Sequence, residues 1–405
     1  MAAVVLGWLA ASIALAQNPA NTVTNQTQVA AAAQNTFGLR LLAALTHDTP
    51  HKNVFVSPSS VFFALDMLEL GAAGQTRADI RRTLDIPAAV SEDALHESAS
   101  ALSHALREPK ADVELAIANA LWSDRKMPLG ADFVARCLRL YEASAQSLDF
   151  RSPEAAPTIN AWVKKNTGGK IPEIVSERTV AASEAILTNA VYFSARWRSV
   201  FDESLTQDGA FHHADKSVKS APLMHQTGLR NSYRSGVGYE AAVLPYGPIS
   251  RLASEPDFVL CIILPAPEVE VETALAKVDV RHLLDGNEPA LLDLKLPRFS
   301  LDYGVSLKPA LLKMGMGIAF QYPGADFVPM GSRLFFVGDV IHKTRLEVDE
   351  KGTVAAAATV ITMPAGMARQ ANPETKVMIV DRPFGLLLCE RKTGAVLFAG
   401  VVYEP

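Results

Sequence analysis

Serine, histidine and carboxylate side chains all occur in this 405-residue chain, so nucleophilic hydrolysis is the first chemistry to test against their spacing. The spacing does not support it. There is no Gly-x-Ser-x-Gly elbow, no His-Glu-x-x-His, no phosphate-binding glycine loop and no Cys-x-x-Cys. Gly236-Val237-Gly238 lacks the strand-then-helix setting of a dinucleotide site, and His212-His213 lies in a polar stretch and reads as solvent-facing rather than metal-binding. Ser57, just before Pro58, reads as a helix cap with proline at the first helical position. Neither a catalytic residue, a metal site nor a cofactor site is read from the chain.

The segment with unusual chemistry is Glu350-Lys351-Gly352-Thr353-Val354-Ala355-Ala356-Ala357-Ala358-Thr359-Val360-Ile361-Thr362. Alanine favours helix, but a glycine, a block of small residues and then β-branched ones also suit a pleated surface. The segment reads as a loop able to enter a sheet if a gap opens, with Thr353, Ala355, Ala357, Thr359 and Ile361 on the buried side by strand alternation.

The elements around it mix helices and strands. Helices are expected over Gln28 to Thr46, Pro58 to Leu70, Arg77 to Leu84 (capped by Thr76), Ser91 to Leu106, Ala131 to Tyr141 and Pro157 to Thr167. Strands are expected over Val113 to Trp122, Ala185 to Phe193, Ala241 to Leu244, Phe258 to Leu264 and Ala290 to Leu296, with a C-terminal apolar pair. Helices dominate early and strands late without βαβ alternation, which indicates an α+β fold with largely antiparallel sheets.

Motifs along nearly the whole chain resemble the serpins. They run in family order from Asn53-Val54-Phe55-Val56-Ser57-Pro58-Ser59-Ser60 through Leu68-Glu69-Leu70-Gly71, Leu187-Thr188-Asn189-Ala190-Val191-Tyr192-Phe193 with Trp197, and Leu296-Pro297-Arg298-Phe299. They continue with His342 before Glu350-Lys351-Gly352-Thr353 and its alanines, then Arg382-Pro383-Phe384 and Leu397-Phe398-Ala399-Gly400-Val401. The resemblance implies three β-sheets packed with eight or nine helices and an exposed reactive-centre loop, here 350–376. It implies an irreversible suicide-substrate inhibitor of serine endopeptidases, not an enzyme, which traps the acyl-enzyme by inserting its cleaved loop into the central sheet. The alternatives are a non-inhibitory carrier or chaperone-like serpin, which the small hinge residues oppose, and a cross-class inhibitor of cysteine proteases.

By the same resemblance, Glu350, Gly352, Thr353, Ala355, Ala356, Ala357 and Ala358 form the hinge. Ser57, Ser60, Asn189 and His342 form a hydrogen-bonded cluster where the central strands part. Trp197, Arg298 and Glu350 close the top of that opening, with an Arg298–Glu350 salt bridge in which arginine replaces the family's lysine. Val354 stands where glutamate is common; it faces outward by alternation, so inhibition is expected to survive. Counting from Glu350 places the scissile bond at Gly366-Met367, which suits elastase-like or subtilisin-like proteases. The stretch to Phe384 is longer than usual, so Met363 and Arg369 stay open, and Arg369 would imply a trypsin-like target. A monomer is implied, with loop-sheet polymers as its aberrant form.

Bulk properties are compatible. Hydrophobic residues make up 49% of the chain, enough for one large core, and no linker or internal repeat divides it. A formal charge of −5 argues against a nucleic-acid binder, and the cluster Arg77, Arg81 and Arg82 reads as solvated surface. Residues 1–16 are apolar and end in Ala14-Leu15-Ala16, which reads as a signal peptide and therefore a secreted, extracellular or periplasmic protein with no membrane attachment after cleavage. Residues 17–30 read as a disordered leader and 31–405 as the single domain. Cys137, Cys261 and Cys389 are widely spaced and read as buried free thiols.

Overall fold

The computed structural model describes residues 19–248, 256–286, 288, 290–331, 335–353 and 374–405. The expected signal peptide, Ala355, Ala356, Ala357, Ala358, Met363, Gly366, Met367 and Arg369 lie outside these residues.

The described chain forms three sheets and ten α-helices. The central sheet has the spatial order Phe299–Ser306, Asp339–Val348, Gly352–Thr353, Ala185–Arg196, Val113–Asp124, Ser144–Leu148. A second sheet contains Phe258–Pro265, Phe384–Glu390 and Val396–Val402, every residue of which is buried. Their near-continuous apolar sequences follow from burial on both faces. A four-stranded sheet is built on Val218–Arg230 and Ala290–Pro297, with Glu374–Ile379 on its edge. The α+β expectation is met.

Asp339–Val348 shows how sequence pattern sets orientation. Val340, His342, Thr344, Leu346 and Val348 are buried while the residues between them are only half-buried, the period of two that a strand dictates. Pro58–Leu70 starts where expected: the Ser57 hydroxyl accepts the Ser60 N–H at 3.3 Å. This helix is buried along its whole length, which brings its N-terminus against the central sheet.

Several expectations need correction. The part of the expected leader that is described, 19–30, is helical rather than disordered: a helix spans Pro19–Asp48, Thr27 and Ala30 are fully buried, and the Ala30 N–H donates to Ser98 Oγ at 3.1 Å. Alanine and threonine gave no apolar stripe, yet small side chains let this helix pack closely on Glu92–Arg107. The helix expected from Arg77 begins at Gly74, so Thr76 lies inside it and its hydroxyl accepts the Asp326 N–H at 2.8 Å. His213 is 8% exposed and packs against Phe211, while His212 faces solvent. The three cysteines are buried and free, as expected.

Arg81 also departs from the expected solvated surface. It pairs with the buried Glu69 at 3.0 Å. Glu69 in turn lies 3.0 Å from His96 Nε2, while His96 Nδ1 lies 2.7 Å from the Tyr141 hydroxyl, which donates to Asp66. Asp66, Glu69 and His96 have metal-ligand chemistry within 4.8 Å of one another, and with both carboxylates beside the imidazole and Arg81 on Glu69 the cluster is an ion network built on a charged histidine. Burial alone would lower that imidazole; the Asp66 and Glu69 carboxylates overcome it and raise it to about 9. The network joins three helices and the tyrosine that ends a fourth.

Candidate functional site: the strand gap and its hinge

The site starts from a weak seam. Asp339–Val348 and Ala185–Arg196 are parallel neighbours, with Asp339 to Arg345 paired with Ile186 to Tyr192. Above Arg345 they part. Gly352–Thr353 sits between them, antiparallel to both: Thr353 pairs with Val348 and with Ala195, and Gly352 with Arg196. The first residues of the loop already occupy the top of the gap as a strand.

Side chains hold this wedge. The Trp197 N–H donates to Lys351 O at 3.0 Å, its indole Nε1 to Asp349 O at 2.8 Å, and the Phe201 N–H to Glu350 O at 2.9 Å. Trp197 stacks on Tyr246 with centroids 4.4 Å apart, and the Tyr246 hydroxyl meets Thr353 Oγ1 at 2.6 Å. Thr353 is fully buried. Gly352 is required by close approach, since a Cβ there would lie 2.2 Å from Ala195 O.

The expected salt bridge is present. Arg298 Nε reaches both Glu350 oxygens, at 2.7 and 2.8 Å, and its Nη2 lies 2.6 Å from Oε1. The Thr206 hydroxyl adds a hydrogen bond to the same carboxylate. Burial would raise the Glu350 carboxyl; these bonds overcome it and hold it below the ordinary value. The carboxylate side chain is 4% exposed and the arginine 44%, so the pair is anchored from the protein side and screened on the other.

Lower in the seam, Ser57, Ser60, Asn189 and His342 come together as expected. His342 Nε2 accepts the Ser57 N–H at 3.0 Å, and Nδ1–H donates to Asn189 Oδ1. The ring is therefore neutral, and its complete burial pushes it down to about 3. The Asn189 amide donates to Ser60 Oγ and to Asn119 Oδ1, while Asn119 returns its own amide to Ser60 O at 3.2 Å. Asn119, Asn189 and His342 stand in register across three strands. Asn119 was missed by the motif reading; its signal is a lone amide inside the apolar run Ala116 to Leu121. This polar cross-link clasps the parallel seam and ties it to the start of Pro58–Leu70.

A split sheet with its hinge strand lodged at the top is the arrangement of one protein class, and the comparisons agree. The family described as Serpin (serine protease inhibitor) matches residues 32–405, and the chain belongs to it. The chain is 34% identical over 360 residues to a serpin-like protein of Thermococcus kodakarensis, covering 88% of this chain and 81% of the relative. It is 31% identical over 388 residues to the leukocyte elastase inhibitor of Bos taurus, covering 92% and 99%. Among solved structures it resembles human thyroxine-binding globulin complexed with thyroxine, with TM-score 0.81, 27% identity and coverage of 95% and 99%. It shares its fold with the thermophilic serpin tengpin in the native state, with TM-score 0.79, 23% identity and coverage of 94% of both chains. The family consists in general of protease inhibitors, and it includes binding proteins such as the globulin.

Proposed function

We propose that this protein is an irreversible inhibitor of serine endopeptidases that traps the acyl-enzyme by loop insertion. The observation carrying this reading is the position of Gly352–Thr353, antiparallel between two parallel strands. Continuing that strand downward replaces one parallel seam by two antiparallel ones, which pair slightly better per residue. The net gain is one ladder of backbone hydrogen bonds, about 1 kcal/mol each, or on the order of 10 kcal/mol for a strand of some ten residues. The segment after Thr353 supports the reading: Ala355, Ala356, Ala357 and Ala358 are small enough to enter without rearranging the strands they pass.

In this reading the serine of the protease attacks the Gly366 carbonyl, with Met363 and Arg369 as the other candidate positions; Gly366 becomes the acyl group of an ester to that serine, and Met367 leaves as a new N-terminal amine. The freed upstream segment inserts before the ester hydrolyses. Elastase-like and subtilisin-like enzymes with shallow pockets are the favoured targets. The apolar 1–16 run supports export from the cytoplasm, which N-terminal sequencing of protein recovered from culture medium tests. The decisive experiment for the mechanism is incubation with elastase, subtilisin, trypsin and papain. An SDS-stable complex with a serine protease supports the trap, and mass spectrometry of the released C-terminal peptide locates the bond. Clean cleavage without complex would instead indicate a carrier, and a complex with papain alone a cysteine-protease inhibitor.

A further inference from the structure

A cavity of about 690 Å³ lies beside the hinge, and the proposed trapping mechanism does not use its interior. It opens beside the four-stranded sheet, between the end of Val218–Arg230, the start of Tyr233–Gly236 and the end of Val280–Asp285. Arg198, Arg230, Arg234 and Arg391 all line it, against a single described carboxylate, Asp285. Arg230 and Arg234 are near neighbours in sequence, and the fold brings Arg198 and Arg391 to them.

Arg234 is the informative one. It is 4% exposed. Its Nη1 donates to Asn231 O at 3.0 Å and Tyr233 O at 2.7 Å, while Nε is buried without a hydrogen-bond partner. Among the described residues no carboxylate lies within 4.0 Å of it. A buried guanidinium is costly unless an anion pairs with it. Gly286 lets the chain pass close beside it, since a Cβ there would lie 2.9 Å from Arg234 Nε. Arg230, on the rim, is exposed and likewise has no carboxylate partner among the described residues.

We propose that this pocket binds a small organic polyanion carrying phosphate or sulfate groups. Planar guanidinium groups match such oxyanions with paired hydrogen bonds. The volume falls within the roughly 300–1,000 Å³ of small-molecule sites and exceeds what one inorganic anion fills. Trp197, Phe201 and Leu244 on the wall supply an apolar surface for the rest of the molecule. Because Trp197 and Phe201 also hold Lys351 and Glu350 through their backbone N–H groups, a bound ligand touches residues that support the hinge.

The test is calorimetric titration of the full chain with inorganic pyrophosphate, the minimal probe, at low ionic strength. One saturable site is expected, weakened at least tenfold in Arg234→Met and in Arg230→Ala. It should be unchanged in Arg139→Ala, which removes the same charge from an exposed helix position. If Arg234→Met does not fold, the exposed Arg230→Ala decides alone. Absence of saturable binding to the wild type, or equal weakening in the Arg139 control, overturns the proposal. The outcome is independent of protease inhibition.

Discussion

His342 is the residue whose chemistry is most constrained by its place. It is fully buried between the parting strands and neutral, with its value pushed down to about 3 from 6.5. The unfolded chain therefore binds more protons at every pH between these values. The stabilising contribution is complete above about pH 6.5 and falls as pH drops toward 3, at up to ~1.4 kcal/mol per pH unit. His342→Gln should lower the thermal midpoint at pH 7.5 by removing the Ser57 and Asn189 bonds, and should flatten the decline between pH 6.5 and 4.5. Midpoints measured at a fixed scan rate across that range check this; an unchanged slope would assign the acid sensitivity to other groups.

Thr353 gives a sharper functional test at the same scale. It is fully buried with its hydroxyl on Tyr246, so Thr353→Arg places an unpaired charge at the leading end of the inserting strand, at a cost of about 3–5 kcal/mol. The variant should be cut by the protease yet form little covalent complex on a denaturing gel. Ser57, Ser60, Asn189, His342, Trp197, Arg298 and Glu350 were legible because each sits in a recognisable local motif. Asn119 was not, since one amide in an apolar strand gains meaning only when two neighbouring strands bring Asn189 and His342 beside it.

Among the elements, strands buried on both faces were the easiest to read. Phe258–Pro265 and Phe384–Glu390 are runs that nothing else explains. Phe299–Ser306 and Val218–Arg230 were not read, because they are partly exposed and their charged and polar residues resemble loop. Asp339–Val348 did carry its period of two, with Lys343 and Arg345 alternating with buried Thr344 and Leu346. The N-terminal helix was read only from Gln28; its first turns, from Pro19, were hidden because their alanine, threonine and asparagine leave no amphipathic contrast to detect.

The helix network around His96 makes a prediction at this scale. Its raised value, about 9, means the folded state holds a proton that the unfolded chain releases near 6.5. That contribution is complete below about pH 6.5 and is lost as pH rises through 9. His96→Leu leaves Asp66 and Glu69 buried beside Arg81 alone and should destabilise the protein at pH 7 by about 3–5 kcal/mol. It should also abolish the wild-type loss of stability between pH 7 and 9, as followed by thermal midpoints. A variant as stable as wild type would show that the histidine is not charged.

For the molecule as a whole, the proposed mechanism requires a choice between two sheets. In one, the parallel seam from Asp339 to Arg345 is closed by the His342–Asn189–Asn119 cross-link, with Gly352–Thr353 lodged above it. In the other, the seam is open and fully filled. In that mechanism cleavage frees the loop from its downstream tether at Glu374–Ile379, and the second sheet is then lower in free energy. The most direct measurement is the thermal midpoint before and after a single cut between Thr362 and Arg369. A gain on the order of 10 kcal/mol corresponds to a rise of roughly 10 °C or more, with the C-terminal peptide still bound. A midpoint that stays the same or falls after the cut would contradict the account.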